Sequence, residues 1–208
     1  ALWQLGDTYS NQGRTCAQLH WEDIGMLEPA IALVETNSIA AGILSGDTMV
    51  KKAIVQILEA RPICPGKYMV LIGGEIGPVR ESFQVGVAAA ADAIVDQLLL
   101  PNVHRSVFPA LMSASPPRGD EALGIIETVT AAVCIVAADA AAKATDVQLL
   151  EIRLANGLGG KSFVLMEGEV ADVEASVAAG VELVRQEGLL VRQVVIPQLH
   201  EQMWEKIL

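Results

Sequence analysis

Apolar and polar positions along the chain fall into two long blocks that run through the same order of patterns. Each opens on a β-rich run, residues 31–36 and 123–128, ending on a Thr placed to lead into a helix cap. An Ala-rich helix follows in each, with an Asp-x-x-x-Lys pair at i, i+4 spacing, Asp47/Lys51 and Asp139/Lys143. Two strands joined by a loop come next, 55–63 to 67–72 and 147–154 to 161–166. A Gly-rich turn then leads into a second helix. It is read over 78–97 in the first block, where Pro78 suits a first turn, and over 171–186 in the second, closed by Gly188. Each block finishes on a short strand, a Pro and a brief helix holding His104 or His200.

The two blocks are copies. Ile31-Ala32-Leu33-Val34-Glu35-Thr36 matches Leu123-Gly124-Ile125-Ile126-Glu127-Thr128, and Leu58-Glu59 matches Leu150-Glu151. Past the loop the register slips by two, pairing Gly66-Lys67 with Gly160-Lys161 and Gly74-Glu75 with Gly168-Glu169. Near the ends Pro101 and His104 pair with Pro197 and His200. A register held this long marks a tandem duplication. The organisation read from it is an extension of unknown role over 1–27, a first domain over 29–113, a linker over 114–120 and a second domain over 121–208. The linker, polar and Pro-containing, is expected to join the domains without ordering them strongly. Residues 1–27 mix Trp3, Cys16, His20 and Trp21 with polar residues and have no counterpart in the repeat.

Composition narrows the classes. Apolar residues make up 52% of the chain but aromatics only 4%, so the cores must close with small side chains. No uninterrupted apolar window approaches the roughly eighteen residues of a membrane span, and no basic stretch leading into an apolar one opens the chain. A net charge of −11 speaks against nucleic acid as the main partner. Three cysteines, Cys16, Cys64 and Cys134, are far apart and odd in number, which suits a reducing, cytoplasmic interior rather than a disulfide framework.

The copies diverge most in the loop between their second and third strands. The first reads Pro62-Ile63-Cys64-Pro65-Gly66-Lys67, a thiol between two prolines. The second reads Leu154-Ala155-Asn156-Gly157-Leu158-Gly159-Gly160-Lys161, longer by two and without cysteine. Where everything around a loop repeats and the loop does not, function is to be sought there. A lone cysteine is most often a small buried hydrophobe, but a Pro-flanked turn is a poor place for burial. Cys134, on an apolar helix, reads as core. Glu35 and Glu127 recur at strand ends and suggest a repeated hydrogen bond rather than acid–base chemistry, since no nucleophile accompanies them. No catalytic residue and no nucleotide-binding fingerprint stands out, so the chain does not read as an enzyme.

Together the 123–128 strand, Asp139-Ala140-Ala141-Ala142-Lys143-Ala144, Gly159-Gly160-Lys161, Gly168-Glu169-Val170 and Ile196-Pro197 through His200 resemble the bacterial microcompartment shell domain. The duplication is similar to that of tandem-domain shell proteins, and Ile63-Cys64-Pro65-Gly66-Lys67 resembles the propanediol-utilisation iron–sulfur members of that group. The resemblance covers 29–208 and implies an α/β (α+β sandwich) fold, non-permuted, with a mostly antiparallel four-stranded sheet and helices on one side in each domain. It further implies a homotrimer imitating a hexamer, located in a microcompartment shell, without nucleic acid or membrane as partner.

The same resemblance places the divergent loops at a central pore: Pro62, Ile63, Pro65, Gly66 and Lys67 from one copy, Asn156, Gly157, Leu158, Gly159, Gly160 and Lys161 from the other. A threefold axis would gather three Cys64 thiolates around one [4Fe-4S] cluster per trimer, leaving one iron on the axis for another ligand. A Cys₃ zinc site, or a thiol-lined metabolite pore without a cluster, are the alternatives, and a duplicated α/β redox or ligand-binding protein is a third reading. Lys67 and Lys161 read either as pore cations or as exposed strand-end lysines. Lys51 and Lys143 read as helix-surface partners of Asp47 and Asp139 or, by the resemblance, as contacts with other shell proteins at the tile edge. His104 and His200 fall in the family's Pro-x-x-His edge segment, which here lacks its usual arginine, and they read as structural caps. An electron carrier in the lumen or cytosol is the partner such a cluster would imply.

Overall fold

The computed structural model describes residues 29–113, 115–119, 121–186 and 188–207. The extension 1–27, Ala114 and Asp120 of the linker lie outside them. The first copy runs β1 (Pro29–Thr36), α1 (Ile39–Lys52), β2 (Gln56–Ile63), β3 (Lys67–Glu75), α2 (Ile76–Ala90), β4 (Ile94–Leu100) and α3 (Val107–Leu111). The second repeats it as β5 (Ala122–Thr128), α4 (Ala131–Ala144), β6 (Gln148–Leu154), β7 (Ser162–Gly168), α5 (Val170–Gln186), β8 (Leu190–Ile196) and α6 (Glu201–Ile207). Two four-stranded sheets result, ordered β2-β3-β1-β4 and β6-β7-β5-β8, every pair antiparallel.

The recurring Thr does steer the chain into the helix. The Thr36 hydroxyl donates to Ser38 O at 2.8 Å, and the Ser38 side chain accepts from Ala41 N–H at the start of α1. In the second copy Thr128 donates to Thr130 O at 3.0 Å, and Thr130 caps α4 by accepting from Val133 N–H. Lys51, Lys52 and Lys143 occupy the last turns, where cations suit the helix dipole.

The second helix of the first copy is shorter than its pattern predicts. The reading over 78–97 overruns: α2 stops at Ala90, Ala91 takes a positive φ of 49°, and Ile94–Leu100 is a strand paired with β1. Alanines at 88–91 extend a helical pattern without marking its end, whereas tertiary pairing with β1 captures the β-branched Ile94 and Val95. Gly73 and Gly74, read as a turn, belong to β3.

Packing uses both faces of each sheet. Along β1, Ala30, Ala32 and Val34 join Met49, Val70, Ile72 and Val79 under the α1–α2 pair. The opposite face, Ile31 and Leu33, meets Val107, Phe108 and Leu111 of α3 in a cluster that continues into Ala131, Ile135, Ala138 and Leu149 of the second copy. In the second copy Trp204 of α6 covers Leu123, Leu150 and Leu165 in the same way. So the main helices do lie on one side of each sheet, and the brief terminal helix takes the other.

This shared core corrects the expectation of loosely joined domains. The linker is also tied down: Gln148 Nε2 donates to Pro116 O at 2.8 Å, and the buried Glu167 carboxylate accepts from the backbone N–H groups of Arg118 and Gly119. The reason is apolar area: α3 covers its own sheet and also presents side chains to α4 and β6.

Each helix pair closes on a glycine. A Cβ on Gly180 would stand 2.8 Å from Ala137 O and 2.7 Å from Ile126 Cδ1, whereas one on Gly77 meets nothing. We therefore expect Gly180→Val to cost about 1–3 kcal/mol through overpacking and to lower the thermal midpoint. Gly77→Ala, at the exposed start of α2, should leave that midpoint unchanged or slightly raised.

Candidate functional site

The β2–β3 hairpin puts Cys64 at its tip. Ile63, the last residue of β2, is buried and anchors the loop, while Cys64, Pro65 and Gly66 are exposed. Gly66 takes φ 73°, a conformation glycine adopts without strain, so the chain can reverse directly into Lys67 of β3. The Cys64 thiol is free and open to solvent.

The second loop lies against the first. Gly160, at φ 94°, is buried, and a Cβ there would stand 3.1 Å from Cys64 O and 3.7 Å from Pro65 Cδ. The absence of a side chain at 160 is what lets the two loops run side by side. Asn156, Gly157 and Gly159 are exposed and Leu158 half-buried; Gly157 and Gly159 also take positive φ. Ala155 N–H donates to Ser162 Oγ at 3.1 Å and fixes the loop's base.

Neither loop lysine is free. Lys67 Nζ binds Glu35, and Lys161 Nζ binds Glu127, each across the diagonal of a paired strand. Glu35 is only 1% exposed. A charge held there needs its cation, since an unpaired buried carboxylate would bear the full cost of desolvation. The recurring glutamates thus hold the lysines at the loop bases.

Between the copies runs a ladder of charges the sequence reading did not single out. Arg61 Nε donates to Glu59 Oε2 at 2.6 Å, and its Nη2 crosses to Leu154 O at 2.6 Å. Arg153 Nε and Nη2 instead both fold onto Glu151 Oε1, at 2.9 and 2.6 Å, with the guanidinium 5.3 Å from the centre of the Phe163 ring. Glu151 Oε2 and Arg61 Nη1 are buried without a partner among the described residues. A cavity of about 360 Å³ opens here, lined by Glu59, Arg61, Ser113, Glu151, Arg153 and Asn156. The signal lay in the repeat, where Glu-x-Arg occurs at the same place in both copies.

The helix lysines take their expected partners, Lys51 with Asp47 at 2.6 Å and Lys143 with Asp139 at 2.7 Å. The aspartates differ, however. Asp47 is exposed, while Asp139 is buried and also accepts from His104 N–H at 2.7 Å, across the boundary between the copies. The imidazoles stay local: His104 Nδ1 lies 2.8 Å from Ser106 Oγ, and His200 Nδ1 accepts from Gln202 N–H at 3.2 Å, where α3 and α6 begin. Cys134 is fully buried, and burial pushes its thiol up to about 12. Among the described residues no group of three or more His, Cys, Asp or Glu side chains gathers within one chain.

Two tandem sheets with flanking helix pairs, carrying paired loops at one end, define a duplicated shell-domain architecture. The BMC domain model matches residues 30–103 and again 122–199, and the chain belongs to this family of microcompartment shell proteins. It is 41% identical over 181 residues to the bacterial microcompartment shell protein PduT of Citrobacter freundii, covering 87% of this chain and 98% of that one. The carboxysome assembly protein CcmO of Synechocystis is 27% identical over 84% of this chain and 63% of its own. A solved microcompartment protein from Desulfitobacterium hafniense DCB superposes with a TM-score of 0.82 at 51% identity, over 85% of this chain and 98% of that one. Among the described residues no helix is long and apolar enough to cross a membrane.

The thiols should separate in solution. At pH 8 iodoacetamide should modify Cys64 in the folded, metal-free protein, whereas Cys134 should react only after denaturation, as peptide mass mapping would register. The strand-end pairs should separate as well. Glu35→Gln leaves Lys67, one-fifth exposed, without its charge partner, and should cost on the order of 3 kcal/mol in denaturant unfolding. Glu127→Gln, in a half-exposed pair, should cost less than about 1 kcal/mol.

Proposed function

We propose that this shell protein forms a homotrimeric tile, a pseudohexamer of six domains, whose central pore holds one [4Fe-4S] cluster on three Cys64 thiolates. The trimer is supported by a comparison of the two copies. Within the chain, α3 covers α4, so that Ile135 is fully buried, as is Val107 on the covering side. The repeat equivalents are Ile43 on α1, 54% exposed, and Met203 on α6, 49% exposed. Asp47, equivalent to Asp139, likewise lacks the His N–H that His200 of a neighbouring copy would supply. Each chain thus carries one satisfied copy-to-copy contact and one open pair of matching faces. Repeating the same contact head to tail between chains is a heterologous association, which makes a ring of three chains where the step between copies is a sixth of a turn and an open filament where it is not.

The observation that carries the cluster is the position of Cys64: an exposed, free thiol at the tip of a loop lying against the glycine loop of the other copy. A single chain offers one sulfur, so a metal centre has to be assembled by symmetry, and three thiolates suit three of the four irons of a cubane. Such a cluster supplies one-electron chemistry, either for electron transfer across the shell to a carrier in the lumen or cytosol or for passage of the cluster itself. The chain contributes the sulfur, a loop restricted by Pro62 and Pro65, and the close approach of Gly160. Lys51 and Lys143, exposed at the ends of α1 and α4, are the residues we assign to contacts with neighbouring tiles, with His104 and His200 capping the segments beside them.

Protein purified without oxygen should be brown, sediment as a trimer and carry about four irons per trimer. Cys64→Ser should remain trimeric and lose the iron. A colourless, iron-free trimer would leave a thiol-lined metabolite pore as the function, and zinc in place of iron would identify a Cys₃ zinc site.

A further inference from the structure

We infer that Arg153 is a positioning residue for the Cys64 loop of the adjoining copy, so that each candidate metal ligand is set by a side chain from another subunit. The inference rests on the homotrimer proposed above and adds a residue to its site.

The geometry comes from the contact already present inside one chain. Arg61, held by Glu59 through Nε, extends Nη2 to the carbonyl of Leu154, the last residue before the second loop. That bond ties the base of the glycine loop to the opposing copy. In the repeat Arg61 corresponds to Arg153, Glu59 to Glu151 and Leu154 to Pro62. Strand pairing bears this out independently: Leu154 lies opposite Ser162 in one hairpin and Pro62 opposite Tyr68 in the other, at the same step of each ladder. Arg153 of one copy therefore corresponds to a donor for Pro62 O of the next, two residues before Cys64.

The two arginines differ as this correspondence requires. Arg61, whose acceptor lies in the same chain, has a side chain 26% exposed; that of Arg153, whose acceptor would be in the next chain, is 43% exposed. Lacking that acceptor, Arg153 turns both Nε and Nη2 onto a single oxygen, Glu151 Oε1, and leaves the buried Glu151 Oε2 unpaired. Pro62 is exposed where Leu154 is buried. Glu151 keeps Nε, as Glu59 does, and Nη2 is the arm that would cross. Arginine suits the task because its fork serves a carboxylate and a carbonyl at once. The loop that bears sulfur is thereby held from outside its own chain, and the loop that bears glycine from inside.

Arg153→Gln and Arg61→Gln, compared with the wild-type trimer by hydrogen–deuterium exchange and by iron loss to a chelator, separate the two roles. Arg153→Gln should speed amide exchange over residues 63–67 about fivefold, the factor that corresponds to one hydrogen bond, and hasten iron loss, with the trimer mass unchanged. Arg61→Gln should speed exchange over 155–161 and leave 63–67 unchanged. If Arg153→Gln unfolds because Glu151 is stranded, the double variant Arg153→Gln/Glu151→Gln takes its place. Unaltered exchange over 63–67 in a trimeric Arg153 variant overturns the inference, as does a wild type that is not a trimer. Iron-free wild-type trimers would instead end the cluster reading alone, because the exchange pattern still reports on Arg153.

Discussion

A single buried carboxylate, Asp139, has its partners supplied by both halves of the chain, and the arrangement of the two domains depends on it. Lys143 from its own helix provides the charge, and His104 N–H from the end of the first copy provides the second bond. A carboxylate that is only 6% exposed has little water to fall back on, so the first copy must keep its terminal segment in place. With that segment comes α3, and with α3 the apolar cluster that merges the copies into one core. The side-by-side loops at Cys64 and Gly160 follow from this docking, because it fixes how one sheet meets the other.

Duplication followed by divergence explains why the two copies are not equally finished. Both copies close the same helix pair and the same Glu–Lys strand-end pair within the chain, but Asp139 and Arg61 find a partner in the other copy while their equivalents Asp47 and Arg153 do not. A repeat that keeps a polar group in both copies while satisfying it in only one points to association in which the contact recurs between chains. The sulfur lies in one copy and not in the other, so the proposed ring would alternate thiol loops with glycine loops. Both loop lysines turn back to glutamates of the first strands, which leaves the loops themselves to sulfur and backbone.

Much of this was legible in the residues. The order of elements, the two loops, the exposed turn at Cys64 and the burial of Cys134 all follow from local pattern and turn chemistry. The role of Glu35 and Glu127 as hydrogen-bonding groups also followed, because a polar residue retained at a strand end in both copies needs a partner in both. The end of α2 did not follow. Its alanines carry no stop signal, and the strand after it exists because β1 has an unpaired edge to offer. The linker misled in the same way, since its polar composition says nothing of the buried Glu167 that receives its N–H groups.

The sequence by itself determined the repeat, the order of elements within each copy and which loop diverges between them, because these depend on spacing and on neighbours a few residues apart. Only the tertiary structure decided how the copies face each other, that Asp139 is closed while Asp47 is open, and that Arg61 reaches across while Arg153 folds back. The physical reason is that equivalent residues in a repeat have identical local preferences. What separates them is the burial and the hydrogen-bond partners supplied by distant segments, and no local pattern records those.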